Sequence, residues 1–375
     1  MKILLDARLY GLEHAGIGRY IKNLVDNLVE IDKENDYVIL LKSAYFHKLK
    51  VPDNWEKVLV EINHYTLKEQ FLLPKVINKL KPDLVHFPHF NFPIFYSGKY
   101  LVTIHDLIKH TSKGKATTTK SPLLYWPKYL AYQVVFSKAV NGASKIIVPS
   151  ETVKNDLVAF YNLPRNKVIV TYEGVDKNYS NVKLSNKKNE EVLDKYKIKG
   201  DFIIYTGSVY PHKNVERLLE AVKIINLKVP ISLVISCSRS VFWSRLERKI
   251  KDLGLTNIVK LVGFVPDDDL VILYKNAKAF VFPTLSEGFG LPGLESMSVR
   301  LPVACSDIPI LREIYKDASL YFDPLDPNDI AIKIETICKD ISVRERLIKN
   351  GLSLIKKYSW QRMSQETLEI YQSSL

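Results

Sequence analysis

From Phe280 to Met297 the chain reads FVFPTLSEGFGLPGLESM. Phe280, Val281 and Phe282 form a short apolar run that stops at Pro283, as a buried strand does. Glu287 follows in a loop. Gly288, Phe289 and Gly290 then expose backbone N–H groups. Pro292 suits the first turn of a helix, and Glu295 lies about one turn inside it. A strand, a loop and a helix are thus read in one stretch. The two acids are offset along it rather than stacked on one face.

The same β-then-α rhythm extends in both directions. KILLDAR at the start, YVILL from Tyr37, VLVEI from Val58, DLVHF from Asp83, YLVTI from Tyr100, KIIVPS from Lys145 and VIVTY from Val168 are strand-like. Helical spacing separates them, as in Ile17, Tyr20, Ile21, Leu24 and Leu28. Residues 175–201 break the pattern, being polar and poor in large apolar side chains. A second series then starts at FIIYTG from Phe202. It continues through ISLVIS, IVKLVG, AFVFPT, PVACSD and SLYFDP. Alternation of this kind predicts parallel sheets covered on both faces. The expected fold is α/β, two Rossmann-like domains facing a central cleft. Their expected bounds are 1–177 and 201–358, with a linker over 178–200 and a last segment over 359–375. Ligands of open α/β sheets sit beyond the carboxyl ends of strands, so the loops after strands are the places to search.

Length and composition agree. The chain has 375 residues, 46% of them hydrophobic and 25% charged, which suits two soluble domains. No stretch is apolar for the length of a membrane span. Asp6 comes too early for a signal peptide, so a cytoplasmic location is expected. Cys237, Cys305 and Cys338 are too dispersed for a metal or disulfide framework, and free thiols are expected. The net charge of +13 favours polyanions: nucleic acid, anionic lipid or phosphorylated small molecules.

Four further loops carry candidate chemistry. EHAGIGRY offers Gly16 and Gly18 beside a helix opening near Ile17, either an anion site or a plain turn. TIHDL places His105 and Asp106 at a strand end, where a histidine bonds a sugar, handles a proton, or bonds local backbone. His86 and His89 follow another strand and are candidates for an acceptor pocket with Phe90 and Phe92. In YTGSVYPHKNVERLLEA, Gly207 ends a strand, Ser208 follows it, and His212 and Lys213 precede a helix; this is diphosphate-binding chemistry. GFVPDDDL puts three aspartates at a helix start, a capping and dipole arrangement rather than a metal site. It leaves the backbone of Phe264 and Val265 free for a nucleobase edge. Glu287 and Glu295 accepting from hydroxyls, with amides beside a phosphate, describe a site for a nucleotide sugar.

Taken together, EGFGLPGLE, GSVYPHKNVERLLEA, GFVPDDDL, PVACSDIPILREI and YSWQRMSQETLEIY, with GIGRY, TIHDL, VPSETVKNDL and VTYEGVD in the first half, resemble the retaining glycosyltransferases of family 4 (glycosyl transferases group 1) with the GT-B fold. That resemblance implies a last helix crossing back onto the first domain, and no cofactor or metal. It assigns the donor-sugar hydroxyls to Glu287 and the ribose to Glu295. The diphosphate falls to Lys213 and to the amides of Phe289, Gly290 and Leu291, approached by the Gly16–Gly18 loop. The transferred sugar falls to His105 and the base to Phe264 and Val265. Catalytic roles are therefore expected of Glu287, His105 and Lys213. Many relatives carry arginine where this chain has Ser208 or His212, which leaves the diphosphate charge to Lys213, helix dipoles and Arg19.

The expected reaction moves a hexose, mannose first, from GDP-mannose or a UDP-hexose to a hydroxyl of a glycan or lipid-linked acceptor, with retention. Two alternatives are a nucleotide-sugar epimerase of the same fold and a basic nucleic-acid-binding protein. Against the latter, no basic helix or stacking pattern is present and no nucleic-acid partner is expected. Residues 109–138 interleave lysines with Leu123, Leu124, Tyr125, Trp126 and Tyr129. Such a stretch fits either an anionic membrane surface, making the protein peripheral, or a mobile loop followed by a packed helix.

Overall fold

The computed structural model describes all residues except 113, 115–117, 119–121, 177–178, 180–184, 238–240 and 375. Lys113, Lys115 and Lys120 of the basic stretch, and much of the connection after residue 176, lie outside the described residues.

The chain forms two compact units. The first comprises residues 1–107, 122–174 and 359–375; the second comprises 108–121 and 175–358. In the first, β1 (Lys2–Asp6), β2 (Asp36–Leu41), β3 (Trp55–Leu59), β4 (Leu84–Phe87), β5 (Tyr100–Thr103), β6 (Lys145–Val148) and β7 (Val168–Val170) build one parallel sheet. Its order is β3-β2-β1-β4-β5-β6-β7. In the second, β8 (Phe202–Thr206), β9 (Ser232–Ser236), β10 (Val259–Gly263), β11 (Phe280–Phe282), β12 (Val303–Ser306) and β13 (Ser319–Phe322) are ordered β10-β9-β8-β11-β12-β13, also parallel. Each sheet reverses its winding once, between β1 and β4 and between β8 and β11. Those reversals are the topological switch points where doubly wound sheets bind ligands.

Every strand read from the sequence is present. One is displaced: β3 spans Trp55–Leu59 instead of starting at Val58. It is an edge strand with only Trp55 buried, and Trp55 stacks on Tyr37 at 4.1 Å, directly across the ladder. That contact sets the register, which an apolar run alone does not reveal.

Residues of the expected linker include a helix, Asn186–Lys195, belonging to the second unit. Lys195 and Tyr196 bond Asp269 at 2.6 and 2.9 Å. Cys237 and Cys305 are buried free thiols, while Cys338 is half-buried.

The last helix, Trp360–Ser373, packs within the first unit as expected. Tyr371 Oη lies 2.6 Å from His86 Nδ1, and His86 Nε2 lies 2.8 Å from Thr103 Oγ1. His86 is fully buried. It therefore fastens this helix to β4 and β5 and does not line a pocket, as the sequence had allowed. Gly174 permits the helix start to come close: a Cβ there would lie 2.0 Å from the Trp360 nitrogen.

At the first unit's switch point lies a buried charge cluster. The Arg8 guanidinium donates twice to Asp6, both bonds at 2.7 Å, once to Glu69 at 2.8 Å and once to the Ile62 carbonyl at 2.9 Å. Asn91 donates to Glu69 at 2.7 Å. Burial pulls the Asp6 pKa upward, but Arg8 outweighs it and the carboxyl stays below the usual range. At Glu69 burial prevails over Arg8 and Asn91, and its pKa is raised. Arg8→Met should cost about 3–5 kcal/mol in urea denaturation, because two buried acids lose their cation. The loss should shrink as the pH falls and one acid gains a proton. A cost below about 1 kcal/mol at pH 7 would show that water replaces the guanidinium.

Candidate active site

Both loops flanking the second unit's switch point carry the residues singled out from sequence. After β8, Gly207 takes φ +145°, a conformation that suits glycine. A short 3-10 turn, Pro211–Lys213, precedes the helix Val215–Ile225. After β11, the loop 283–290 leads into the helix Leu291–Ser298, with Gly290 at φ +98° as its N-cap. Thr284, with an oxygen on the His212 carbonyl at 3.3 Å, and the Leu285 N–H, on the same carbonyl at 2.7 Å, tie one loop to the other.

The tie brings Lys213 to Glu287. Their ammonium and carboxylate form a short ion pair, with side chains only 15% and 11% exposed. Lys213 Nζ also stands 5.9 Å from the Phe282 ring centroid. Glu295 is buried on the following helix. Phe289 is buried with its ring edge-on to Tyr358 at 5.5 Å, and Leu291 is buried beside it. Gly288 precedes them in the same loop. The site thus joins one cation and one acid to the start of a helix of eight residues that carries the second acid, Glu295. Such an N-terminus offers unpaired N–H groups and a positive dipole end to a phosphate.

His212 is half-buried beside this pair, and its buried Nδ1 has no hydrogen-bond partner. Burial, with the Lys213 charge adding to it, lowers its pKa to about 3, so it is neutral. Ser208 uses its carbonyl to accept from Tyr205 Oη at 2.5 Å. At the end of β10, Phe264 is 65% exposed while Val265 is buried. Only backbone is therefore available at Val265, whereas Phe264 offers a ring. The aspartates 267–269 fill the first turn of the helix Asp267–Asn276 as expected, but the cap itself is Pro266.

In the first unit, the sequence expectation for the glycine loop needs correction. Gly16 and Gly18 lie inside the helix Ala15–Ile31, not before it. Gly18 is required by packing, since a Cβ would stand 1.8 Å from the Gly11 carbonyl oxygen, whereas a Cβ on Gly16 would meet nothing within 4 Å. Only Gly16 thus leaves open space at the helix start. His105 uses both ring nitrogens locally: Nε2 is 2.9 Å from the Pro88 carbonyl and Nδ1 is 3.5 Å from Glu173. Burial alone would depress its pKa, but Glu173 and the Pro88 carbonyl outweigh burial and raise it. The ring is therefore held between two acceptors rather than free to turn.

These histidines define a pH dependence. Burial holds His86 and His212 near 3 and, together with Arg8, His64 near 4, against 6.5 unfolded. Their contribution is complete above about pH 6.5 and is lost as the pH falls below it. His105, with a raised pKa, contributes fully below 6.5 and loses that contribution as the pH rises through its folded value. Burial also lowers the His14 pKa, so four histidines oppose one and the urea midpoint should drop between pH 7 and pH 5. A midpoint that rises over that interval would refute this balance.

Several residues that hold the site carried no sequence signal. Asn214, at φ +57°, donates to the carbonyls of Pro283 and Pro324 at 3.0 and 2.7 Å, joining three loops. Tyr315 and Glu173 are others. Their partners are distant in the chain, and no local spacing announces them.

The fold is that of a GT-B glycosyltransferase. Two family models match the chain, Glycosyltransferase Family 4 over residues 15–179 and Glycosyl transferases group 1 over residues 187–353, and the protein belongs to the glycosyltransferase family they describe. It is similar to O-antigen chain mannosyltransferase B of Escherichia coli, 27% identical over 99% of both chains. It is also 27% identical to O-antigen chain mannosyltransferase RfbU of Salmonella typhimurium, over 72% of this chain and 77% of that one. Among solved structures, Anabaena HepE in complex with UDP and glucose superposes with a TM-score of 0.76 over 100% of both chains, at 17% identity.

Proposed function

We propose that the protein transfers a hexose, mannose in the first instance, from a nucleoside diphosphate sugar to a hydroxyl of a glycan or lipid-linked glycan, with retention and without a metal. The observation that carries this reading is the Lys213–Glu287 pair at the switch point, beside the amides that open the helix Leu291–Ser298. Names of the relatives support mannose and a polysaccharide acceptor. The nucleotide found with HepE supports a diphosphate donor.

A sugar diphosphate already has a good leaving group. What remains is to stabilise charge on the departing diphosphate and to hold the acceptor in line. Lys213 and the amides of Phe289, Gly290 and Leu291 serve the first need. Glu287 accepts from donor-sugar hydroxyls, Glu295 from the ribose, and the base lies against Phe264 and the Val265 backbone. Gly207, Ser208 and Gly288 let the backbone approach. Neutral His212 keeps the pocket beside Lys213 free of a second cation. His105, held by the Pro88 carbonyl and Glu173, is the first unit's candidate for the transferred sugar. The two acids bind rather than act as the acid and nucleophile of a hydrolase.

An apolar stripe on the helix Pro122–Gly142 supports a lipid-linked acceptor. Leu123, Trp126, Leu130 and Val134, one turn apart, are 87%, 50%, 60% and 51% exposed, with Lys128 and Lys138 also exposed. No described helix is long and apolar enough to cross a membrane.

The test is a thermal-shift screen of GDP, UDP and their sugars, followed by transfer assays with and without EDTA. Stabilisation by a diphosphate and EDTA-resistant transfer with retained anomeric configuration are expected. Absence of any diphosphate effect would overturn the donor assignment, and rearrangement of donor without acceptor would favour an epimerase.

A further inference from the structure

We infer that Tyr315, a buried residue outside the motifs, is the positioning residue that aims the Leu291 amide at the donor diphosphate. The inference rests on the functional reading above. Tyr315 ends the helix Pro309–Tyr315 and is fully buried. Its Oη donates to the Gly290 carbonyl at 2.5 Å, and the Gly293 N–H reaches the same oxygen at 3.2 Å.

A peptide group is planar, and its C=O and N–H point in opposite directions. The carbonyl of Gly290 and the N–H of Leu291 belong to one such group. Fixing the carbonyl on the phenol therefore fixes the amide on the opposite edge. Leu291 is the first residue of its helix, so its N–H has no intrahelical acceptor.

Gly290 lacks a Cβ and takes φ +98°, so its own side chain restrains nothing; the phenol joins the Gly293 N–H in fixing the following peptide. The chain also makes room for the phenol. A Cβ on Gly293 would lie 2.2 Å from Tyr315 Oη, and one on Gly290 would lie 2.7 Å from it. Both glycines are thus matched to the tyrosine rather than only to a ligand. Held as a hydroxyl, Tyr315 keeps the amide preorganised before the substrate arrives, which is the form in which a dipole stabilises developing charge.

Tyr315→Phe keeps the ring and deletes the donor. Calorimetry with GDP and UDP, with guanosine and uridine measured by competition, tests the inference. Diphosphate affinity should fall about five- to tenfold, with nucleoside affinity unchanged. Equal diphosphate affinity in both proteins overturns the inference and leaves the functional reading intact. A parallel loss of nucleoside binding also overturns it, because the phenol would then only support the fold. Wild-type protein that binds neither GDP nor UDP defeats the functional reading, and the inference with it. Should Tyr315→Phe fail to fold, Gly293→Ala reaches the same hydroxyl from the other side and should show the same phosphate-selective loss. Unaltered diphosphate binding in that variant would be equally decisive against it.

Discussion

Glu287→Gln is expected to remain folded and to hold a nucleoside diphosphate while kcat/KM falls at least about 100-fold. The amide keeps the shape of the carboxylate but cannot accept strongly from two sugar hydroxyls. A second effect follows from the ion pair. Without ligand, the carboxylate occupies the Lys213 ammonium. Replacing it frees that cation for phosphate, so affinity for the diphosphate alone should hold or rise while turnover collapses. Calorimetry and steady-state kinetics on one preparation separate the two. Turnover within about threefold of wild type would end the assignment of the donor sugar to Glu287.

Lys213→Met should act in the opposite sense on binding. Loss of the only cation of the β8 loop beside the helix amides removes charge stabilisation from the departing diphosphate, an effect of about 10²–10³ in kcat/KM. It also leaves the Glu287 carboxylate, 11% exposed, without its partner. A like charge then faces the incoming diphosphate, so KM for the donor should rise together with the fall in kcat. The double variant with Glu287→Gln should recover part of the KM but none of the kcat. Full recovery of kcat in the double variant would show that Lys213 serves only to neutralise the acid.

Much of the fold was legible because buried parallel strands are continuous apolar runs, and all but one were placed in that way. The exception, β3, is an edge strand whose place is set by Trp55 against Tyr37. Glu287, Lys213 and the glycine loop were readable because site residues of such folds follow strands. Their pairing was not, since it depends on loops bonded through the His212 carbonyl. Gly16 and Gly18 looked like loop residues because glycine usually opens a turn; Gly18 is instead a helical residue pressed against Gly11. His105 was readable as a candidate, but not that Pro88 and Glu173 would take both its nitrogens. Tyr315 and Asn214 reach partners 25 and 69 to 110 positions away. Periodicity is blind to separations of that kind.

The helix Trp360–Ser373 also governs the order in which the two units can complete their folds. His86 finds its bonding partner in Tyr371, 285 positions later. Residues 175–358, by contrast, complete their own sheet without it. During synthesis the second unit can therefore finish first, while the earlier-made half waits with a helix-sized apolar seam uncovered. That waiting period is when the nascent protein is most exposed to aggregation and most in need of a chaperone.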